Sequence, residues 1–375
     1  MACANIFAGR TIGRCVRVPR FHLFFRDQGL GRGMGFPAFV QNVMVRRRLV
    51  RDSLSAEPFH AAWLWRRSAE IAGGHSPAAF VKRARFLYSG WKHQDLLERF
   101  LGDRRTPWLG RLVNERPDIL NVLVAPYQST NWDVRTRLSK LHAHYETMEG
   151  LGWLFDPLAE REVEFCRLSA AHPHLRLVLD DAIWFRDEGP LVFNLFLDDT
   201  RIFSLAFALR FEQGSLIAHA GAVQGRNAAD LPDVKDIYRE LTRAAFGMRP
   251  RDLLIETFQL VCQHLGVERI LLVSSDHQQR RDAFFTVTRH EVHANYDAIW
   301  LERGAWRLDE STFELPLRAK HRDATDIPPR KRRQYERRYA MLATASEHIA
   351  GTLRARRGNA PVSLGKGQDL AGRPA

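Results

Sequence analysis

Apolar positions along the chain change their period once. Over residues 78–91, Phe80, Ala84, Leu87 and Trp91 recur at helical spacing, and over 133–148, Val134, Leu138, Leu141 and Tyr145 form a second stripe. Positions three and four apart share one side of a helix, so both segments predict helices with these residues turned inward. Ser76-Pro77 supplies a cap and a first-turn proline for the first, and Pro107, Pro117 and Pro126 interrupt the stretch between them. From Leu175 the period is two. The runs 177–185, 191–197, 201–211 and 215–223 alternate, and Arg186-Asp187-Glu188-Gly189-Pro190, Asp198-Asp199 and Gln213-Gly214 separate them. Short turns between alternating runs predict an antiparallel meander with at least one buried face.

The period then switches back. Residues 250–265 carry Leu254, Phe258, Val261 and Leu265 on one stripe, with Pro250 at the start and Gly266 at the end. Residues 269–273 suit a buried strand, and Ser274-Ser275-Asp276 predicts a cap for a helix over 277–288. A strand pair is expected at 298–302 and 306–308. Tyr335, Tyr339 and Leu342 predict a docked C-terminal helix with its arginines outside. The fold class is therefore α+β: a helical N-terminal half followed by a mixed, mostly antiparallel sheet with flanking helices. The expected divisions are a basic leader at 1–55, a helical region at 56–170, a sheet domain at 171–350 and a disordered basic tail at 351–375.

Composition adds exclusions. Of 375 residues, 45% are hydrophobic and 26% charged, which rules out a wholly disordered or collagen-like chain. No apolar run approaches the roughly 18 residues of a membrane helix, so no integral span is expected. Cys3, Cys15, Cys166 and Cys262 stand far apart, without metal-ligand spacing, and a reducing, cytoplasmic compartment fits them best. The net charge of +13 suggests nucleic acid until it is located. Residues 1–51 hold ten arginines and one acid, residues 318–338 carry +6, residues 351–375 carry +4, and residues 52–317 sum to −5. The basic charge belongs to the ends, so nucleic acid is expected only through those tails, with a steep loss of binding in salt. The leader reads as a flexible basic segment; an Arg-rich, acid-poor start also imitates an organellar transit peptide, and Met34 and Met44 offer later starts.

Candidate chemistry is sparse. Arg249 and Arg251 flank Pro250 at a predicted helix N-terminus, where free N–H groups disfavour cations, and Gly247 precedes them. An anion held by amides and arginines would account for this; two arginines in water beside Asp252 would account for it equally. Ser275 and His277 lie at the carboxyl end of a predicted buried strand, where α/β sheets place ligands. His277 could move a proton, or Ser275 could simply cap a helix. His219 reads as a packed histidine, and His142 and His144, two apart on a helix, share no face for a metal.

Several segments occur together in order: Leu141-His142-Ala143-His144-Tyr145, Val223-Gln224-Gly225, 246–254 (FGMRPRDLL), Tyr296-Asp297-Ala298-Ile299-Trp300 and 327–335 (IPPRKRRQY). In these the chain resembles the VirK/YbjX family of bacterial proteins, over about residues 78–349. That resemblance implies a part in virulence or envelope-stress physiology, with no established biochemistry. The element order is also similar to the GCN5-related acyltransferase fold. This second resemblance implies an acyl-CoA diphosphate at the helix after the fourth strand, with Gly247, Arg249 and Arg251 as its counterparts here. Gln224 and Gly225 would line the approach, and Ser275 or His277 would face the thioester. The chain departs from that fold in about twenty residues, 226–246, between strand and helix. Three functional classes follow: an acyl-CoA-dependent enzyme, a non-catalytic adaptor on the same fold, and a nucleic-acid binder acting through its ends.

Overall fold

The computed structural model describes residues 61–358, apart from 105, 159, 161, 182, 229–230 and 279–294. Five helices open the described chain: α1 (Ala61–Ile71), α2 (Pro77–Lys92), α3 (Gln94–Gly102), α4 (Leu109–Glu115) and α5 (Val134–Gly150). Ser76 caps α2 by accepting from Ala79 N, and Asp133 caps α5 by accepting from Thr136 N. Leu138, Leu141 and Tyr145 of α5 are buried as their spacing predicts. The stripe on α2 is a correction. Its buried residues are Phe86, Ser89 and Gly90, while Phe80 and Trp91 face outward. Gly90 lets α1 approach, since a Cβ there would stand 2.7 Å from Leu64 Cδ2.

One eight-stranded sheet follows, in the order β1-β2-β3-β4-β5-β6-β8-β7. Its strands are β1 (Glu162–Arg167), β2 (Leu175–Asp180), β3 (Leu191–Leu197), β4 (Thr200–Glu212), β5 (Ser215–Gly225), β6 (Arg269–Val273), β7 (Trp306–Arg307) and β8 (Thr312–Leu315). Every pairing is antiparallel except β5 with β6, which α6 (Val234–Ala244) and α7 (Pro250–Leu265) connect. A parallel neighbour requires such a crossover. The α+β class and the mixed, mostly antiparallel sheet with flanking helices are as the periodicity predicts. Phe258 of α7 meets Phe193 and Phe207 on one face of the sheet, with ring centroids 6.0 and 5.0 Å away. The long α9 (Arg332–Gly358) packs on α7 and β1, and runs eight residues into the stretch read as tail.

Local differences have physical causes. The run read as a strand over 177–185 ends at Asp180 and turns into a 3₁₀ helix, Ile183–Glu188. There Arg186 pairs with Asp118 and Asp181, tying sheet to helical layer. Residues 298–302, read as a strand, form α8 (Tyr296–Glu302). Asn295 caps it by accepting from Ala298 N, and Tyr296, Ile299 and Trp300 are buried at helical spacing. A seven-residue helix gives too few repeats to distinguish its period from alternation. The helix expected over 277–288 lies largely outside the described residues; a 3₁₀ turn, Ser275–His277, occupies its start.

Close packing at the centre is backbone on backbone. A Cβ at Gly221 would stand 2.0 Å from the Glu188 carbonyl oxygen. Gly221→Ala is expected to lower stability by about 1–3 kcal/mol through forced displacement of the backbone. Gly351→Ala, in α9 with open space around it, should instead raise stability by about 0.5–1 kcal/mol. Guanidinium melts of both variants against the parent check the two signs.

Candidate functional site

The two central strands outrun their neighbours. Pairing of β3 with β4 stops at Leu191↔Phe207, and the parallel pairing of β5 with β6 stops at Ala220↔Leu272. Beyond the first stop, Leu209 N donates to His144 Nδ1 at 3.2 Å and Phe211 N donates to Thr147 Oγ1 at 2.9 Å, so α5 stands in for a strand. Beyond the second, Ser274 N turns to Ser311 O and leaves that edge of β5 without a partner strand, while β4 stays paired on its other edge. Side chains take over: Gln278 Nε2 donates to Gly221 O at 3.1 Å and Tyr296 OH to Val223 O at 2.8 Å. Just before the gap, Gln128 Nε2 donates to His219 O at 2.8 Å. A wedge thus opens between β5 and β6, filled by the protein's own donors.

A buried polar network lines it. Arg210 of β4, 1% exposed, donates through Nη1 to Gln128 Oε1 at 3.0 Å and through Nε to Glu212 Oε1 at 2.8 Å. Its Nη2 lies 3.1 Å from His219 Nδ1. Arginine only donates, so His219 accepts at Nδ1 and carries its proton on Nε2. That Nε2 is buried without a hydrogen-bond partner among the described residues, and so is the Tyr127 hydroxyl. Trp132 closes the network, its ring 5.4 Å from the His219 ring, with the Arg210 guanidinium 5.8 Å from its centroid. Burial, then the Arg210 charge, holds His219 well below the usual histidine range; burial lowers His144 to about 3. Gln128 sits at a φ of 52°, a left-handed geometry uncommon outside glycine, held by its amide donating to Asp187 O.

Ser275 and His277 meet this network through the loop 127–132. Thr130 N donates to His277 O at 2.8 Å, and Ser129 bridges to Gln278. Ser275 itself is engaged with α8: its N–H donates to Asp297 Oδ1 and its hydroxyl accepts from Asp297 N. The hydroxyl beside His277 belongs to Ser274, 3.0 Å from Nδ1, and this hydroxyl donates to Glu310 O. His277 Nδ1–H therefore donates to Ser274, which leaves Nε2 as an acceptor.

The arginines at the start of α7 stand at the other end of α8. Glu302 takes Arg249 at 3.3 Å and Arg251 at 2.8 Å, and Asp252 takes Arg251 at 2.9 Å. These carboxylates offset the charge that the helix terminus disfavours, so the pattern needs no bound anion to explain it. Phe246 and Gly247 are both left-handed, with φ of 53° and 79°. Arg338 donates to Phe246 O, and a Cβ on Gly247 would meet Gln334 Nε2 at 2.4 Å. Gly225 is packed under Tyr238 OH and Phe203, and Gln224 is half-buried beside it. The predicted residues thus gather at two places joined by α8. The Arg210–His219–Gln128 network was missed because only pairing register brings it together.

One cluster of ligand-type groups occurs among the described residues: Asp103, His142 and Glu146. His142 Nε2 faces Asp103 at 3.1 Å while Nδ1 faces Glu146 at 4.0 Å. The two carboxylates therefore approach different nitrogens of one ring, of which a single metal ion would take only one. No helix among the described residues is long and apolar enough to cross a membrane.

Fold and site define an α+β protein whose open sheet parts at its one parallel junction. The chain belongs to the family described as protein of unknown function (DUF535), which matches residues 76–351; this is the VirK/YbjX family. It is similar to the uncharacterized protein YbjX of Escherichia coli, 29% identical over 150 residues, or 40% of this chain and 44% of that protein. It is also similar to an uncharacterized protein of Haemophilus influenzae, 28% identical over 265 residues, or 67% of this chain and 85% of that one. A further Haemophilus influenzae protein is 27% identical over 146 residues, 39% of this chain and 46% of its own. The chain therefore matches less than half the length of two of these relatives. No solved structure matches.

Buried histidines set an acid limit. His144 and His219 are neutral in the fold, and unfolding frees them to bind protons below about pH 6.5. Stability is full above that pH and falls below it, by up to about 1.4 kcal/mol per unit for each ring. Asp187, pushed up by burial to about 6, stays protonated in the fold below that pH and works in the opposite sense between its ordinary 3.8 and about 6. One ring is thereby offset. Urea midpoints should fall between pH 7 and 4, and His144→Gln should flatten the fall.

Proposed function

We propose that the chain is an acyltransferase-like member of its family, taking an acyl-CoA along the wedge between β5 and β6. The reading includes the virulence or envelope-stress role that the family resemblance implies. The observation that carries it is the end of parallel pairing at Ala220↔Leu272, directly beside His277 and His219. Gln278 and Tyr296 each set a donor on a β5 carbonyl, as the amides of an extended pantetheine arm would. These residues fit that arm once the two side chains swing aside. At the start of α7, Gly247 lies beneath the mobile ends of Gln334 and Arg338, which a diphosphate would displace, Pro250 withholds no needed N–H, and exposed Arg249 reaches solvent from Glu302. Gln224 and Gly225 end β5 on the same side of the crossover.

The bound thioester supplies the activated acyl group. His277 Nε2, with Nδ1–H anchored on Ser274, takes the proton from the acceptor nucleophile as its bond to the acyl carbon forms. The carbon–sulfur bond would then break, and His277 would return the same proton to the leaving thiolate, which departs as the thiol. His219, held neutral by burial and by the Arg210 charge, offers Nε2–H to the oxygen on which negative charge develops. Ser275 positions this loop through Asp297.

A second reading rests on the same closure. Gln278 and Tyr296 fill the wedge as a permanent plug in a non-catalytic adaptor that keeps the fold. Calorimetric titration with CoA and acyl-CoA separates the two. The enzyme reading expects heat with both ligands, and affinity lowered about tenfold in Arg249→Ala through loss of a charge-assisted bond. No heat at millimolar ligand favours the adaptor.

A further inference from the structure

The outward arc of α2 is more aromatic than the arc that packs. With about 100° per residue, Phe80, Trp91, Ala84, Tyr88 and Val81 fall in that order within about 100° of arc. Phe80 is 72% exposed, Trp91 70%, Tyr88 61% and Val81 56%. Arg85 and Lys92, both exposed, border this arc on one side. The Tyr88 and Trp91 rings lie 6.3 Å apart, so these two rings pack together, with Phe80 on the same arc nearer the start of the helix. Trp65, on the α1 helix that packs against α2, is 67% exposed as well. Exposed rings at this density mark an interaction surface on a protein that otherwise buries its core.

We propose that this face docks on the surface of an anionic lipid bilayer. Charge selects the occupant. The helix carries Lys82, Arg83, Arg85 and Lys92 and no acid. A second copy of the same face would bring like charges together. The leader, with ten arginines and one acid over residues 1–51, has charge of the same sign and offers this face no complement. Lipid phosphates attract both. Tryptophan, tyrosine and phenylalanine in a convex band with basic neighbours have the composition of an interfacial helix, whose rings sit at the headgroup boundary while the cations meet phosphate. The leader's arginines, upstream of α1, supply the second signal that stable surface attachment needs. Docking requires no movement of the sheet, and it stands whether or not the wedge binds an acyl-CoA.

Co-sedimentation of the full chain with vesicles tests this. Phosphatidylcholine vesicles with and without phosphatidylglycerol are compared for the parent, for the triple variant Phe80→Ser, Tyr88→Ser, Trp91→Ser, and for the double variant Arg85→Glu, Lys92→Glu. The parent should partition to the anionic vesicles and not to the neutral ones. The triple variant should lose about tenfold or more of that partition, with an unchanged melting temperature because its side chains are exposed. The double variant should bind the anionic vesicles more weakly at low salt and lose less of its binding as salt rises, because fewer cations remain to be screened. Brominated lipids should quench the parent's tryptophan fluorescence, and Trp91→Phe should remove part of that quenching. Equal partition of parent and triple variant would overturn the proposal, since the leader alone would then be the attachment. Absence of partition in the parent would overturn it too, as would a parent dimer that the triple variant converts to monomer.

Discussion

Backbone hydrogen bonding on two overlong strands organises this protein. β4 and β5 continue past the ends of β3 and β6, and buried N–H and C=O groups there cannot go unpaired. Each is met by a side chain chosen for its donor or acceptor: His144 and Thr147 from α5, Gln128 from the loop before it, Gln278 after β6, and Tyr296 from α8. The helical layer, the loop 127–132 and α8 are thus fixed to the sheet where it lacks a strand. Apolar burial alone would not specify these positions, because it has no direction.

The same requirement places the charges. Arg210 is buried, and a buried guanidinium persists only if its donors are taken. Gln128, Glu212 and His219 take them; the contact with Arg210 fixes the histidine's tautomer, and burial together with the Arg210 charge holds it neutral. Glu302 plays a comparable part at the surface, drawing Arg249 and Arg251 over the start of α7. Since Asp297 at the other end of α8 holds Ser275, one short helix sets both the arginine pair and the loop that carries His277. A seven-residue helix rises about 10 Å, which is the separation it imposes between its two sets of partners.

Long periodic elements were legible in the sequence: α5, α7, β3 through β6 and the Ser76 cap follow from local pattern. Two failures were instructive. In α2 the period was right and the side was wrong, because period reports a face without saying which way it looks. In α8, five residues were too few to tell 3.6 from 2. The candidate site was legible only in part. Ser275 and His277 were singled out by their place after a buried strand, while Ser274, whose hydroxyl lies beside His277, looked like any cap residue. Arg210, Gln128 and His219 are 91 residues apart at the extremes, and nothing local joins them. The arginines were correctly seen as anomalous, but their explanation, Glu302, lay 51 residues beyond Arg251.

The inversion of α2 bears on what the fold demands of it. The helix is held by the Ser76 cap, by Arg83 donating to Ala72 O and Gly74 O, and by Phe86 and Gly90 on its inner side. None of these uses Phe80, Tyr88 or Trp91. Three small or polar residues in their place would leave the packing untouched and would raise solubility, so folding gives no reason for an aromatic exterior. The family match nevertheless begins at Ser76, the cap of this helix, which makes α2 part of the common unit and not an appendage. A surface whose composition folding does not require, on an element that belongs to the fold, has its explanation outside the chain.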